Sequence, residues 1–251
     1  MTTAPHAPEA SLSHDTAMHL QAMELQRIIG LLHSLTPDDW AAQTECPAWD
    51  VRRMHLHVLG ACESAASMRE LVHQMRAARR HQKALGGPLE AALSAVQVSE
   101  RETLTSAELV EQLRSVAPVA VRKRSGMPGV LRNAVRLKVD GPVVERWKLG
   151  YLVDTIYLRD MWMHRIDTCR AVGRTPELTV EHDAVIVADV VAEWARRHGQ
   201  GYALLLTGPA GGAFGDGGDD ATELEMDAVE FCRTLAGRAT GDGLLQTIVP
   251  F

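Results

Sequence analysis

Apolar side chains that recur every three or four positions predict a mostly helical first two thirds of the chain. Thr36-Pro37 supplies a cap and a first-turn proline for a short helix, which Cys46-Pro47 ends. Asp50 can cap the second long helix, and Ser106 is the predicted cap of the third. Glycine is the residue type expected just after the end of a helix, and Gly173 predicts the end of the fourth long helix. The four long helices are predicted over 18–35, 50–84, 106–124 and 143–172.

The pattern changes after Thr175-Pro176 and predicts a smaller module of mixed helices and strands. Glycines crowd the segment 208–218, but no Lys-Ser/Thr pair and no helix follow them, so a phosphate loop is excluded and a hairpin loop is predicted. The fold class is therefore α+β, with a flexible tail over 1–17, a helical domain over 18–175 and a C-terminal α/β domain over 176–251. The module's predicted elements are a helix over 181–198, strands over 202–207 and 222–226, a helix over 227–236 and a last strand over 244–249.

Composition and charge exclude several function classes. The net charge of −6 lacks the basic footprint of a nucleic-acid-binding module. No apolar run approaches the roughly 18 residues of a membrane span, and the N-terminus lacks the pattern of a secretory signal. The four cysteines form no C-x-x-C pair, which favours a reducing, cytoplasmic compartment. We therefore expect small-molecule ligands, no nucleic acid, no membrane, and a monomer or homodimer.

The segment 122–138 carries six basic residues between the third and fourth long helices. Such a run is usually a solvated loop. It would also serve as a cationic lip that attracts an anionic substrate. The pattern leaves both interpretations open.

The candidate chemistry begins on the fourth helix, where Asp160, His164 and Asp167 follow one another at i, i+4 and i+7. This spacing places two carboxylates and an imidazole on one helix face, which Val153 and Ile156 continue toward the core. Buried acids are costly unless they are paired or bound to a metal. The pattern is compatible with a metal-chelating pair and equally with a salt bridge from Asp160 to His164 or Arg165.

A histidine of the second helix would complete a metal site. His55 and His57 lie two residues apart, so we do not expect both to face inward, and the apolar stripe of this helix is centred nearer His57. His57, Asp160 and His164 would give three ligands and an open position, the arrangement of a catalytic zinc. From the pattern alone, this site and a set of paired polar side chains remain alternatives.

Several motifs, taken in order, resemble one known family. Cys46-Pro47-Ala48-Trp49-Asp50-Val51-Arg52-Arg53-Met54-His55-Leu56-His57-Val58-Leu59-Gly60 is similar to the CPGWTVRDVxAHLxG signature of the mycothiol-dependent maleylpyruvate isomerase family, which belongs to the DinB-like metalloenzymes. The resemblance continues through four further segments: Leu35 to Trp40, His164 to Asp167, Ala171 to Arg174, and Leu235 to Arg238. It implies a DinB-like four-helix bundle with a metal held by three ligands, followed by a smaller α/β domain.

The resemblance also implies residue roles. The family's signature histidine falls on His57, and its other two ligands fall on Asp160 and His164, although the family has Glu where this chain has Asp160. The family's catalytic arginine corresponds to Arg238, which would otherwise be a surface arginine. From its place one turn after His164, Asp167 would orient His164 as a further catalytic-site residue or would be a surface acid near the helix C-terminus. The implied cofactors are a divalent metal, zinc first, and mycothiol as thiol co-substrate.

The implied reaction is attack of the activated thiol on an electrophile. The product would be an S-transferase adduct or, after rotation and release of the thiol, an isomer. A metal-dependent hydrolase and a non-enzymatic binding protein on the same scaffold stay open as alternatives.

Overall fold

The computed structural model describes residues 11–140, 144–215, 218 and 221–251. The chain divides into two compact units on either side of the Thr175-Pro176 bond. One unit is Ser13–Thr175, and the other contains 176–251 together with Ser11 and Leu12, where the Ser11 hydroxyl donates to the Asp189 carboxylate. The α+β fold class is confirmed, with helices first and a small sheet near the C-terminus.

The first unit is a helical bundle. It is built on four helices that pack on one another: α1 (His14–His33), α3 (Val51–Ala66), α6 (Ser106–Ser125) and α9 (Tyr157–Ala171). Its core contains Leu25, Ile28, Leu56, Leu59 and Leu113, all at most 2% exposed. Burial of such side chains contributes about 1.5–3 kcal/mol each. The helices and strands of this unit are α1 His14–His33, α2 Pro37–Trp40, α3 Val51–Ala66, α4 Met68–Leu85, α5 Leu89–Ser99, α6 Ser106–Ser125, α7 Gly129–Ala134, β1 Arg136–Val139, β2 Glu145–Lys148, α8 Leu149–Tyr151 and α9 Tyr157–Ala171.

Helix α1 begins four residues before the predicted start at Met18. The Ser13 side chain accepts a hydrogen bond from the Thr16 amide and so caps the helix. His14 to Ala17 therefore belong to the helix and not to the predicted flexible tail. Residues 1–10 of that tail lie outside the described residues.

The predicted second helix is two helices, because the chain is extended at Ser67 (φ −135°, ψ 118°). Ser67 ends α3, and its hydroxyl accepts a hydrogen bond from the Glu70 amide to begin α4. A serine followed three residues later by an acid is a start signal that the sequence analysis passed over. It also missed α5.

Thr105, not Ser106, caps α6. Thr105 and Glu108 form a capping box, in which each side chain bonds the other residue's backbone N–H. After α6 and the short α7, an antiparallel hairpin of β1 and β2 pairs Leu137 with Trp147, where the sequence had predicted a basic loop.

The last helix of the bundle begins at Leu149 rather than near 143, and residues 141–143 lie outside the described part. Between α8 and α9 it contains one π-helical turn, Leu152–Ile156. Within this turn Asp154 accepts hydrogen bonds from the His14 ring at 2.7 Å and from Arg132 at 2.7 Å. As predicted, Gly173 follows the helix with positive φ (67°).

The second unit contains a sheet of order β4-β3-β5, in which β3 is antiparallel to β4 and parallel to β5. The hairpin loop predicted over 208–218, between the strands 202–207 and 222–226, is wrong: β3 and β5 are parallel, and the unpredicted strand β4 lies within the segment and pairs antiparallel with β3 after a short turn. Gly211 is required in that turn because a Cβ there would lie 2.1 Å from the Leu206 carbonyl oxygen. The elements are α10 Val185–His198, β3 Tyr202–Thr207, β4 Gly212–Gly215, β5 Thr222–Asp227 and α11 Ala228–Leu235.

The predicted last strand over 244–249 is wrong. Gly243–Gln246 forms a 3-10 turn, and the Val249 amide instead donates to the Leu235 carbonyl at the end of α11. Leu244 (7% exposed) and Val249 (1% exposed) are buried without strand pairing, whereas Ile248 is 49% exposed.

Among the described residues, no helix combines the length and the apolar character needed to cross a bilayer.

Candidate metal centre

Helix α3 carries two histidines into the bundle, and they meet different partners. The Asp50 side chain accepts a hydrogen bond from the Arg53 amide and so caps the N-terminus of α3, about one turn before His55 and His57. The expectation that only one of them faces inward is wrong: His55 is fully buried, and the His57 side chain is 13% exposed. Both rings contact α9: His57 faces Asp160, whereas the His55 Nε2 atom lies 2.9 Å from the Thr168 hydroxyl.

Helix α9 presents Asp160 and His164 to the same point. The His164 Nε2 atom is 3.2 Å from Asp160 Oδ1, and the His57 Nε2 atom is 3.6 Å from Asp160 Oδ2. One donor atom from each of these three residues lies within 4.8 Å of those from the other two. Arg165 is not their partner, because it forms a bidentate, buried ion pair with Glu24 that ties α9 to α1.

The charges around the three converging side chains favour the ionised form of the Asp160 carboxylate. Burial raises the pKa of Asp160, but the imidazoles of His164 and His57 outweigh it and hold that pKa well below its ordinary value. Burial lowers the pKa of His164, but Asp160 and then Asp167 outweigh it and raise the pKa to about 9. A cation that binds His164 at neutral pH therefore displaces a proton.

Unsatisfied atoms show that these residues fit a divalent metal. The Nε2 atom of His164 lies near Asp160, but the geometry is not that of a hydrogen bond. In the described part of the chain, neither ring nitrogen of His164 has a hydrogen-bond partner. Each Asp160 oxygen faces one imidazole, Oδ1 that of His164 at 3.2 Å and Oδ2 that of His57 at 3.6 Å, close to the separation of about 3.4 Å between neighbouring ligands of a tetrahedral metal. The shorter Asp160 thus reaches both rings. Two imidazoles and one carboxylate are a donor set typical of zinc.

Trp49 forms a wall of this cluster. Its ring stacks on His57 with 5.0 Å between centroids and 27° between planes, and it meets His164 edge-on at 6.0 Å. The side chain is half-buried and comes from the loop that leads into α3. No role of Trp49 was predicted from the sequence, although it lies within the signature segment 46–60.

Asp167 lies below the cluster, one turn after His164. Its side chain is fully buried, and Oδ2 lies 3.6 Å from the His164 Nδ1 atom. This placement allows Asp167 to orient the imidazole of His164 through its outer nitrogen, as carboxylates do behind many histidine ligands.

The basic stretch 122–138 is mostly engaged within its own unit. Arg124 is 3% exposed, stacks over the Tyr157 ring at 4.2 Å and donates to Gln21. Arg132 pairs with Asp154, and Lys138 pairs with Asp140. Only part of the stretch is therefore left for the lip that the sequence suggested.

Arg238 belongs to the other unit and follows α11. Its amide donates to the Arg233 carbonyl, and the side chain is half-buried. Its role in binding substrate stays a prediction.

Comparison with known proteins identifies the family. A sequence model described as the mycothiol maleylpyruvate isomerase N-terminal domain matches residues 14–169, and no curated protein matches the chain. The crystal structure of the mycothiol-dependent maleylpyruvate isomerase has the same fold, with a TM-score of 0.56 and 14% identity over 92% of each chain. A histidine-to-alanine mutant of that isomerase gives a TM-score of 0.53 and 14% identity over 91% of each chain. Because the matched domain covers most of the chain, including both helices that carry the three converging residues, the chain belongs to the mycothiol maleylpyruvate isomerase family, a family of enzymes.

Proposed function

We propose that the chain is a metal-dependent isomerase that uses mycothiol to convert a small electrophilic alkene. One observation carries the proposal: His57, Asp160 and His164 converge on one point within the domain that the family model matches. The family is named for this thiol and for an isomerisation, and the likeness of fold extends over nearly the whole chain.

The three converging residues would hold the metal, and the half-exposed side of the cluster next to Trp49 would stay open to a further ligand. The chemistry that a divalent metal supplies when bound there is Lewis acidity, which lowers the pKa of a coordinated thiol from its usual value near 8.5. Asp167 would act as a positioning residue behind His164, and the stacked ring of Trp49 would restrict rotation of His57.

The two buried thiols of the bundle are poorly suited to act as the nucleophile. Burial raises the pKa of Cys62 to about 11, so its thiol stays protonated at neutral pH. Burial also raises the pKa of Cys169. A small-molecule thiol is therefore better suited than either of these two to supply the sulfur nucleophile.

Such a thiol supports isomerisation without being consumed. Its sulfur adds to one carbon of a cis double bond, the resulting single bond rotates, and loss of the thiol restores the double bond in the trans form. Arg238 would bind a carboxylate of the substrate through a charge-assisted hydrogen bond.

The test is turnover of a panel of cis-configured, carboxylate-bearing alkenes by the zinc-loaded protein, with mycothiol, with glutathione and with no thiol. We expect isomerisation with mycothiol, far less with glutathione, unchanged thiol concentration, and none with His57→Ala. Stoichiometric loss of thiol would identify an S-transferase, and turnover without thiol a hydrolase. Absence of any turnover, with ligand binding retained, would favour a binding protein.

A further inference from the structure

Helix α4 presents a basic face in a protein whose net charge is −6. It contains five cationic side chains against one carboxylate, Glu70. At about 100° per residue, Arg69, Arg76 and Arg80 fall within a stripe about 40° wide, with Arg79 and Lys83 beside it. All five are exposed.

These five cations have no acidic partner. Within the described ranges, none of their side chains takes part in an ion pair or a hydrogen bond. The nearby acids are engaged elsewhere: Arg101 pairs with Glu63 and Glu70, and Glu100 pairs with His73. The positive charge of α4 is therefore available to an external anion.

The same face exposes large apolar side chains in its first two turns. Met68 is 73% exposed and Val72 40%. Met68 and Val72 line a groove of about 500 Å³ together with Arg69, Arg76 and Arg80. Surface helices usually place polar residues at such positions, so an apolar row beside a cationic stripe is typical of a helix that lies in a membrane interface.

The opposite face of α4 is fixed to the bundle. The buried side chain of Gln74 donates to the Gly60 carbonyl and to Glu70, and it accepts from Gln97. The 18-residue helix, about 27 Å long, is thus held rigidly with its basic and apolar face outward.

We propose that this face of α4 docks the protein on an anionic phospholipid bilayer. Met68 and Val72 would enter the headgroup boundary, and the arginines would meet lipid phosphates. A second copy of this face would bring like charges together, and a nucleic acid would gain nothing from the apolar row. The expectation of no membrane partner rested on the absence of an apolar run long enough to span a bilayer. That absence does not exclude surface docking.

The first test is sedimentation of the full-length protein with vesicles. We expect it to bind vesicles of equal parts phosphatidylcholine and phosphatidylglycerol at low salt, and to be released at about 0.5 M salt as screening shortens the reach of the charges. Failure to bind the anionic vesicles, or equal binding to pure phosphatidylcholine, would overturn the proposal. Tighter binding to a single-stranded RNA than to vesicles would overturn it in favour of a nucleic-acid site.

Paired variants separate the α4 face from net charge. Each cation near an anionic surface contributes about a fivefold change in partitioning, so Arg76→Gln with Arg80→Gln should weaken vesicle binding about 25-fold. Arg122→Gln with Lys123→Gln removes the same charge from exposed positions on α6 and should change binding less than twofold. Met68→Gln with Val72→Gln should also weaken binding. Equal loss in both charge variants, or no effect of the apolar variant, would rule out docking through this face.

Discussion

At the scale of single residues, the two histidines of α3 have opposite environments. His57 is stacked on Trp49 and faces Asp160, whereas His55 is enclosed and bonded to Thr168. Thr168 in turn donates to the His164 carbonyl, so His55 contacts the site-bearing helix without reaching the cluster. We therefore predict that replacing His55 leaves metal binding intact and that replacing His57 does not.

This difference predicts how zinc stabilises the protein. At free zinc 100-fold above its Kd, the free energy of unfolding should rise by about 2.7 kcal/mol. His57→Ala should abolish that increase because a ligand is missing, and His55→Gln should retain it. Thermal melts with and without zinc measure both, and bound metal is counted by elemental analysis. A His57→Ala protein that still gains stability from zinc would show that His57 is not a ligand.

His55 also predicts a sensitivity to acid. Burial, together with the nearby imidazoles of His164 and His57, lowers the pKa of His55 to about 3, whereas the unfolded chain takes up the proton near pH 6.5. The associated stability is present above pH 6.5 and is lost as the pH falls toward 3. At pH 5 the loss from this residue is about 2 kcal/mol.

The measurement is urea unfolding of metal-free protein at pH 7 and pH 5. His55→Gln lacks the titrating ring, so the stability lost between the two pH values should be smaller in the variant by about 2 kcal/mol. An equal loss in wild type and variant would mean that another group dominates the acid response.

At the scale of elements, helix ends are where the sequence and the structure differ most. The α6 capping box uses Thr105 and Glu108, so Thr105→Ala should cost about 1 kcal/mol of stability. Ser106→Ala removes the residue that the sequence pattern favoured and should change stability by less than about 0.5 kcal/mol. Denaturant midpoints of the two variants compare them directly, and the reverse order would place the cap at Ser106.

The bundle helices could be predicted because their apolar spacing is maintained over many turns. The break at Ser67 could not be found by periodicity, since apolar residues continue on both sides and only the local hydrogen bond to the Glu70 amide separates α3 from α4. The hairpin of β1 and β2 was missed because its exposed positions are basic, which is also the composition of a loop.

For the candidate site, spacing on α9 was enough to place Asp160 and His164 on one face, and the resemblance selected His57 over His55. Helix geometry also favoured His57, but it assumed that only one of the two histidines faces inward, and both do. Trp49 contacts His57 only because a loop folds back on α3, where the Gln43 and Asp50 bridge pairs residues seven positions apart. Contacts of that kind depend on tertiary structure, and no local pattern reports them.

At the scale of the whole molecule, all three proposed ligands lie in the unit Ser13–Thr175, and Arg238 lies in the other. Arg238→Ala should therefore leave the zinc content unchanged while it lowers turnover of a carboxylate substrate. Elemental analysis measures the zinc content and steady-state kinetics measures the turnover, with Arg238→Lys as the variant that keeps the charge. Loss of zinc from Arg238→Ala would show that the metal site depends on that unit.

The π-helical turn at Leu152–Ile156 adds one residue to the last helix of the bundle. A π turn closes its hydrogen bond one residue later than an α turn, so it holds one residue more than an α-helix of the same path. It lets Asp154 meet His14 and Arg132 while Asp160, six positions on, meets His57 and His164. Deleting one residue from the turn would leave an α-helix of the same path, so Asp160 should keep His57 and His164, whereas the contacts of Asp154, within the turn, should be disturbed. In the evolution of this chain, the loss of one residue should therefore be tolerated better in this turn than within Tyr157–Ala171, where it would rotate the residues that follow by about 100°.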